Sequence, residues 1–158
     1  MTSGETARRA LVVETFQTSA RLHQALADGP AVEAMVRAGE AIVQVLGAGG
    51  QVLVFGNGGS AADAQHLVAE LVGRFERRRR GFPAVALTTD PSVLTAVAND
   101  YGFEAVFARQ IDALGRAGDL AIGITTSGNS PNVVAGLEAA RVRGLRTLAL
   151  TGNDGGAA

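Results

Sequence analysis

Apolar residues show two textures along this chain. Through the first fifty positions they recur at helical spacing. The stretch from about Glu5 to Ala27 has no Gly or Pro and carries Leu11, Val12, Phe16 and Leu22, which predicts a helix stopped at Asp28-Gly29-Pro30. A second helix is expected from Ala31 to about Leu46, where Val32, Met35, Val36, Val43 and Leu46 follow helical steps; Gly47 to Gly50 end it. Beyond that point the apolar runs become short and continuous: Gln51 to Phe55, Pro83 to Thr89, Asp119 to Thr125 and Arg146 to Thr151. The first three each lead into a helix-like stretch. Buried strands alternating with helices predict a parallel sheet covered on both faces. The expected fold class is α/β, a three-layer open sandwich with a parallel sheet preceded by N-terminal helices. Residues 1–48 would be the helices and 49–158 the α/β core of one domain.

Composition narrows the function classes. The chain has 158 residues, 47% of them hydrophobic and 18% charged, which argues against disorder. No apolar run is long enough to span a bilayer, so no membrane partner is expected. The N-terminus lacks the pattern of a secretory leader, and Cys is absent, which removes thiolate metal sites. A cytoplasmic setting fits both. The formal net charge of −1 argues against a nucleic-acid partner. Arg77 to Arg80 form the one basic block, read first as a solvated turn and second as a subunit or phosphate contact.

Three strand exits carry the candidate chemistry. After the first strand come Gly56, Asn57, Gly58, Gly59 and Ser60. Glycines allow close backbone approach, and Ser60 with Asp63 predicts a capping box. The following helix aligns His66, Glu70 and Arg74 at four-residue steps. A Glu70–Arg74 ion pair is the bland reading. The sharper one is a proton-moving or metal-binding pair of His66 and Glu70. After the second strand, Asp90 caps a short helix with Pro91 at its first position, and Asn99-Asp100 precede Tyr101-Gly102 as either a turn or sugar-contacting groups. After the third come Thr125, Thr126, Ser127, Gly128, Asn129 and Ser130. Ser130 is a good cap ahead of Pro131, but capping does not explain the other hydroxyls. They suit a phosphate held without Lys or Arg. In open α/β sheets, ligands collect at this strand edge.

The pieces GNGGSAADAQH, AELVGR, AVAND, TSGNS and LTGNDGG together resemble the phosphoheptose isomerases of the sugar isomerase (SIS) superfamily, from the N-terminal helices through Gly156. The resemblance implies an SIS-type fold and interconversion of sedoheptulose 7-phosphate and D-glycero-D-manno-heptose 7-phosphate through an enediol. The product would feed lipopolysaccharide and other surface glycans. It further implies a cytoplasmic homotetramer with zinc. Carried over residue by residue, Asn57, Gly58, Gly59, Asn99 and Asp100 would bind sugar. Thr125, Thr126, Ser127 and Ser130 would bind phosphate, with Thr125 standing where a serine is common. Glu70 would be the catalytic residue, and His66 and Glu70 metal ligands. The family continues past TGNDGG with a strand and a helix carrying a QExH pattern, so the core is expected to be C-terminally incomplete, and His23 matches no such motif. Two other readings stand beside this one: a non-catalytic phosphosugar-sensing or replication-initiator-associating SIS protein, and an isomerase of another phosphosugar.

Overall fold

The computed structural model describes residues 3–158. Residues through Glu40 form one compact unit and Ala41–Ala158 another. The first unit holds helix α1 (Ser3–Ala27) and the opening turns of α2 (Ala31–Gly47). Both helices break where Gly29 and Pro30 interrupt the backbone ladder, as the sequence predicts. Leu11, Val12, Phe16 and Leu22 of α1 are exposed along this chain. His23 Nδ1 sits 2.8 Å from the Ser19 carbonyl oxygen, a local contact within the helix.

The second unit is a four-stranded parallel sheet in the order β2-β1-β3-β4. Its strands are β1 (Val52–Gly56), β2 (Ala84–Ala86), β3 (Leu120–Thr125) and β4 (Arg146–Thr151). Four helices follow or link them: α3 (Gly59–Val72), α4 (Pro91–Tyr101), α5 (Val106–Leu114) and α6 (Pro131–Val142), with a 3-10 turn at Phe103–Ala105 before α5. Side chains alternate across the two central strands, as strand geometry requires. Leu53, Phe55 and Ala121 enter one apolar layer with Phe107, Ile111, Val133 and Leu137 of α5 and α6. Val52, Val54, Leu120, Ile122 and Ile124 enter the other, with Ala64, Leu67 and Leu71 of α3 and the last turns of α2. Three layers result, and β1 and β3 are buried along their whole length.

β2 is shorter than its seven-residue apolar run predicts. It pairs only with β1, over three residues, and the chain leaves the ladder after Leu87 donates to the Val54 carbonyl oxygen at 2.9 Å. Below the opposite sheet edge, buried Asp119 accepts from Gln51 N at 3.0 Å, from Gln51 Nε2 at 3.0 Å and from Arg116 N at 3.0 Å. One carboxylate thus fixes where β1 and β3 both begin.

Several local readings need correction. The expected Ser60 capping box does not form. Gly58, at φ 55, is the N-cap residue, and α3 starts at Gly59 with no side-chain cap. A positive φ is open to glycine, so the chain turns before Ser60 is reached. Asn99 and Asp100 are not a turn but the last turn of α4, which ends at Tyr101 with Gly102 as its C-cap. Arg74 lies past the end of α3, and Glu70 pairs with His66 instead. The basic block is not only a solvated turn. Arg79 donates to the carbonyl oxygens of Glu70 at 2.7 Å and Leu71 at 2.8 Å, closing the C-terminus of α3. Its guanidinium also stacks over Phe82, 4.2 Å from the ring centroid. No helix among the described residues is long and apolar enough to cross a membrane.

Candidate active site

Two of the predicted loops are brought side by side because β1 and β3 are neighbours in register, Gly56 opposite Ile124. Beyond that last pair the ladder stops and each chain enters its loop. The β1 loop is Asn57 and Gly58, leading to Gly59 at the start of α3. The β3 loop runs from Thr126 to Ser130. Asn57 and Asn132 join them by a reciprocal amide pair: Asn57 Nδ2 donates to Asn132 Oδ1 at 2.8 Å, and Asn132 Nδ2 donates to Asn57 Oδ1 at 2.9 Å. Asn132 is buried, at 3% exposure. Sequence reasoning missed it. An Asn in the second position of a helix carries no local sign of a partner 75 residues away.

The β3 loop is organised by its own hydroxyls. Thr125 Oγ1 lies 2.9 Å from Ser130 Oγ and 3.5 Å from Ser127 Oγ. Ser127 Oγ accepts from Asn129 N at 3.1 Å. Ser130 occupies the N-cap position of α6 as predicted, but its side chain caps no amide and turns to Thr125 instead. Thr125 is buried at 3% exposure, while Thr126 and Ser127 are exposed. The segment after β4 holds this loop from outside. Gly152 N donates to the Thr126 carbonyl oxygen at 3.1 Å, and Ala157 N donates to the Gly128 carbonyl oxygen at 3.0 Å. Asn129 ties both sides together, donating to Ser127 O at 2.8 Å and accepting from Ala157 N at 3.1 Å. At φ 69, Gly128 sits so close to this segment that a Cβ there would overlap the Gly155 carbonyl oxygen. The result is a hydrogen-bonded ring of hydroxyls and amides ahead of a helix N-terminus. That chemistry suits a phosphate, since a helix leaves its first N–H groups unpaired and favours negative charge there.

The remaining predicted residues stand apart from this ring. His66 Nε2 lies 3.3 Å from Glu70 Oε1, one helical turn away, with the two side chains 76% and 36% exposed. α3 runs back along the sheet from Gly59. Glu70 is therefore roughly 16 Å along the helix axis from the glycine loop, at about 1.5 Å per residue. Asn99 Nδ2 donates to Asp100 Oδ1 at 2.8 Å on the exposed end of α4. Among the described residues, no hydrogen bond links His66, Glu70, Asn99 or Asp100 side chains to the two joined loops.

The His66–Glu70 pair is the natural place to test for zinc. It offers two donors. Catalytic zinc takes three protein ligands, and no group of three His, Cys, Asp or Glu among the described residues could hold a metal ion. Among the described residues a single copy supplies two donors, His66 and Glu70, and no step below is routed through zinc.

A family model for the SIS domain matches residues 16–152. Over 151 residues the chain is 52% identical to phosphoheptose isomerase of Geotalea daltonii, covering 92% of this chain and 77% of that protein. The chain belongs to the phosphoheptose isomerase family of SIS domains. The Pelobacter propionicus phosphoheptose isomerase is 61% identical over 115 residues, 73% of this chain and 61% of its own length. The chain spans less than two thirds of the length of the curated relatives it matches first. The fold agrees as well. A structure of phosphoheptose isomerase from Neisseria gonorrhoeae superposes with a TM-score of 0.88 at 49% identity, covering 94% of this chain and 77% of that one. Another, from Francisella tularensis, gives 0.88 at 40% identity, covering 99% and 79%.

Proposed function

We propose that this SIS domain binds a heptose phosphate and serves its aldose–ketose isomerisation, with sedoheptulose 7-phosphate as the ketose. The hydroxyl ring from Thr125 to Ser130, free of any Lys or Arg and joined to the glycine loop, is the observation that carries this reading. The phosphate sits on Thr125, Thr126, Ser127, Ser130 and the first turn of α6. The sugar extends toward Asn57, Gly58, Gly59, Asn99 and Asp100. Glu70 takes a proton from C1 of the ketose and returns it to C2, with a cis-enediol between. Over the same cycle O2 gains a proton and O1 loses one, which calls for a second acid–base group. His66 orients the Glu70 carboxylate. A phosphate held away from the reacting carbons lends its binding energy to their orientation.

Glu70 lies far along α3 from the loops, so the reading includes a cytoplasmic homotetramer in which another copy brings its Glu70 to a bound sugar. Sedimentation is expected to give the mass of four chains. A monomer that turned over substrate would sink the shared site.

The reaction itself is tested in D2O. Incubation with sedoheptulose 7-phosphate should yield an aldose phosphate carrying deuterium at C2, read by proton NMR, because a proton on Glu70 exchanges with solvent. Full retention of protium would replace the enediol with a hydride shift. Absence of turnover would leave only phosphosugar binding.

A further inference from the structure

Strand pairing between β1 and β3 ends at Gly56 and Ile124, so no ladder holds the two ligand loops in register beyond that point. What continues the tie is the amide pair of Asn57 and Asn132, with hydrogen bonds of 2.8 and 2.9 Å closing a ring between the side chains. Asn132 is buried and spends its carboxamide on Asn57. A buried amide left without its partner is costly, so the pair holds as a unit. Asn57 is half-buried and is followed directly by Gly58 and Gly59, which have no side chains to anchor them. We propose that Asn132 is a positioning residue: through Asn57 it fixes the glycine loop relative to the anion ring and so sets the distance between the phosphate and the sugar it carries. This rests on the phosphosugar reading of the site. It makes Asn57 as much a tie between loops as a group facing the ligand.

The test compares the wild-type chain with Asn132→Ala, Asn57→Ala and the double variant. Dissociation constants are measured for inorganic phosphate and for sedoheptulose 7-phosphate, with amide-proton exchange at Ala61 and Ala62, which donate to the carbonyl oxygens of Asn57 and Gly58, followed without ligand. In Asn132→Ala, sugar-phosphate affinity should fall roughly tenfold, the effect of a lost buried hydrogen bond. Inorganic phosphate affinity should hold within about twofold, and loop exchange should quicken. The double variant should lose no more than Asn57→Ala alone, which already removes both the tie and the contact of Asn57 with the sugar. Equal losses for both ligands, additive losses or unchanged exchange would overturn the proposal. If Asn132→Ala folds poorly, Asn132→Asp keeps the size and one hydrogen bond. The ratio of its two affinities, divided by the wild-type ratio at the same pH so that the ligands' own ionisation drops out, should recover on acidification as the protonated carboxyl again donates to Asn57 Oδ1. A ratio independent of pH would count against the pair. A wild-type chain that bound neither ligand would remove the phosphosugar reading, while loop exchange would still decide whether Asn132 holds the loop.

Discussion

Glu70→Gln should lower turnover of sedoheptulose 7-phosphate by about a thousandfold, within the range for loss of a positioned general base. The substitution keeps the size of the side chain and leaves an amide to contact His66, which lies 3.3 Å from the carboxylate. Packing is therefore preserved, and only the capacity to accept a carbon-bound proton goes. Glu70 is roughly 16 Å along α3 from the glycine loop, and no hydrogen bond joins it to the anion ring. Inorganic phosphate should accordingly bind Glu70→Gln as it binds the wild type. Kinetics and phosphate titration on the same preparations separate the two effects. Equal turnover would remove Glu70 from the reaction. Loss of phosphate binding along with turnover would mean that the substitution had disturbed the fold.

Gly128→Ala should be the most damaging single methyl in the loop. Its φ of 69 lies in the left-handed region, where an L-residue costs about 1–2 kcal/mol. The added Cβ would also overlap the Gly155 carbonyl oxygen, a backbone atom that cannot swing aside. Either the loop or the segment after β4 must move, and the Gly128–Ala157 and Asn129–Ala157 hydrogen bonds go with it. We expect the melting temperature to fall by roughly 5–10 °C and both phosphate ligands to be lost together. Gly58→Ala is the comparison. It also has a positive φ, at 55, but open space around its Cβ, so it should cost strain alone. Thermal melts and phosphate titrations of the two variants check this. A Gly128→Ala chain as stable as Gly58→Ala would mean that the segment yields freely.

What was legible in the sequence follows from what makes a signal local. β1, β3 and β4 were readable because strands in a parallel sheet are continuous apolar runs, and β3 and β4 match their predicted runs to within a residue. β2 was overread, since an edge strand with one partner need not use the whole of its apolar run. The Asp90 cap was readable too: its carboxylate accepts from Ser92 N at 2.9 Å and Val93 N at 3.0 Å, both within three residues. Ser60 failed because the glycine before it let the helix start early. Ser130 sat where expected, yet its hydroxyl had a better partner in Thr125, five residues back on the strand. Arg79 looked like one charge in a run of four, and only the folded chain shows it over Phe82 at the end of α3. Asn132 and the loop clasp at Ala157 join segments far apart in sequence, so neither leaves a pattern in any short window.

That clasp also gives the anion ring a place in time. Thr125 to Ser130 are made before β4, but the amides of Gly152 and Ala157 that hold the carbonyl oxygens of Thr126 and Gly128 are made after it. During synthesis the sheet can assemble around β1 and β3 while the ring still lacks its outer wall. A nascent chain that had emerged only as far as Thr151 would expose every hydroxyl of the loop and yet grip phosphate weakly. On the phosphate reading of the site, the ring gains its grip only after the sheet around β1 and β3 has formed, once Gly152 to Ala157 have left the exit tunnel.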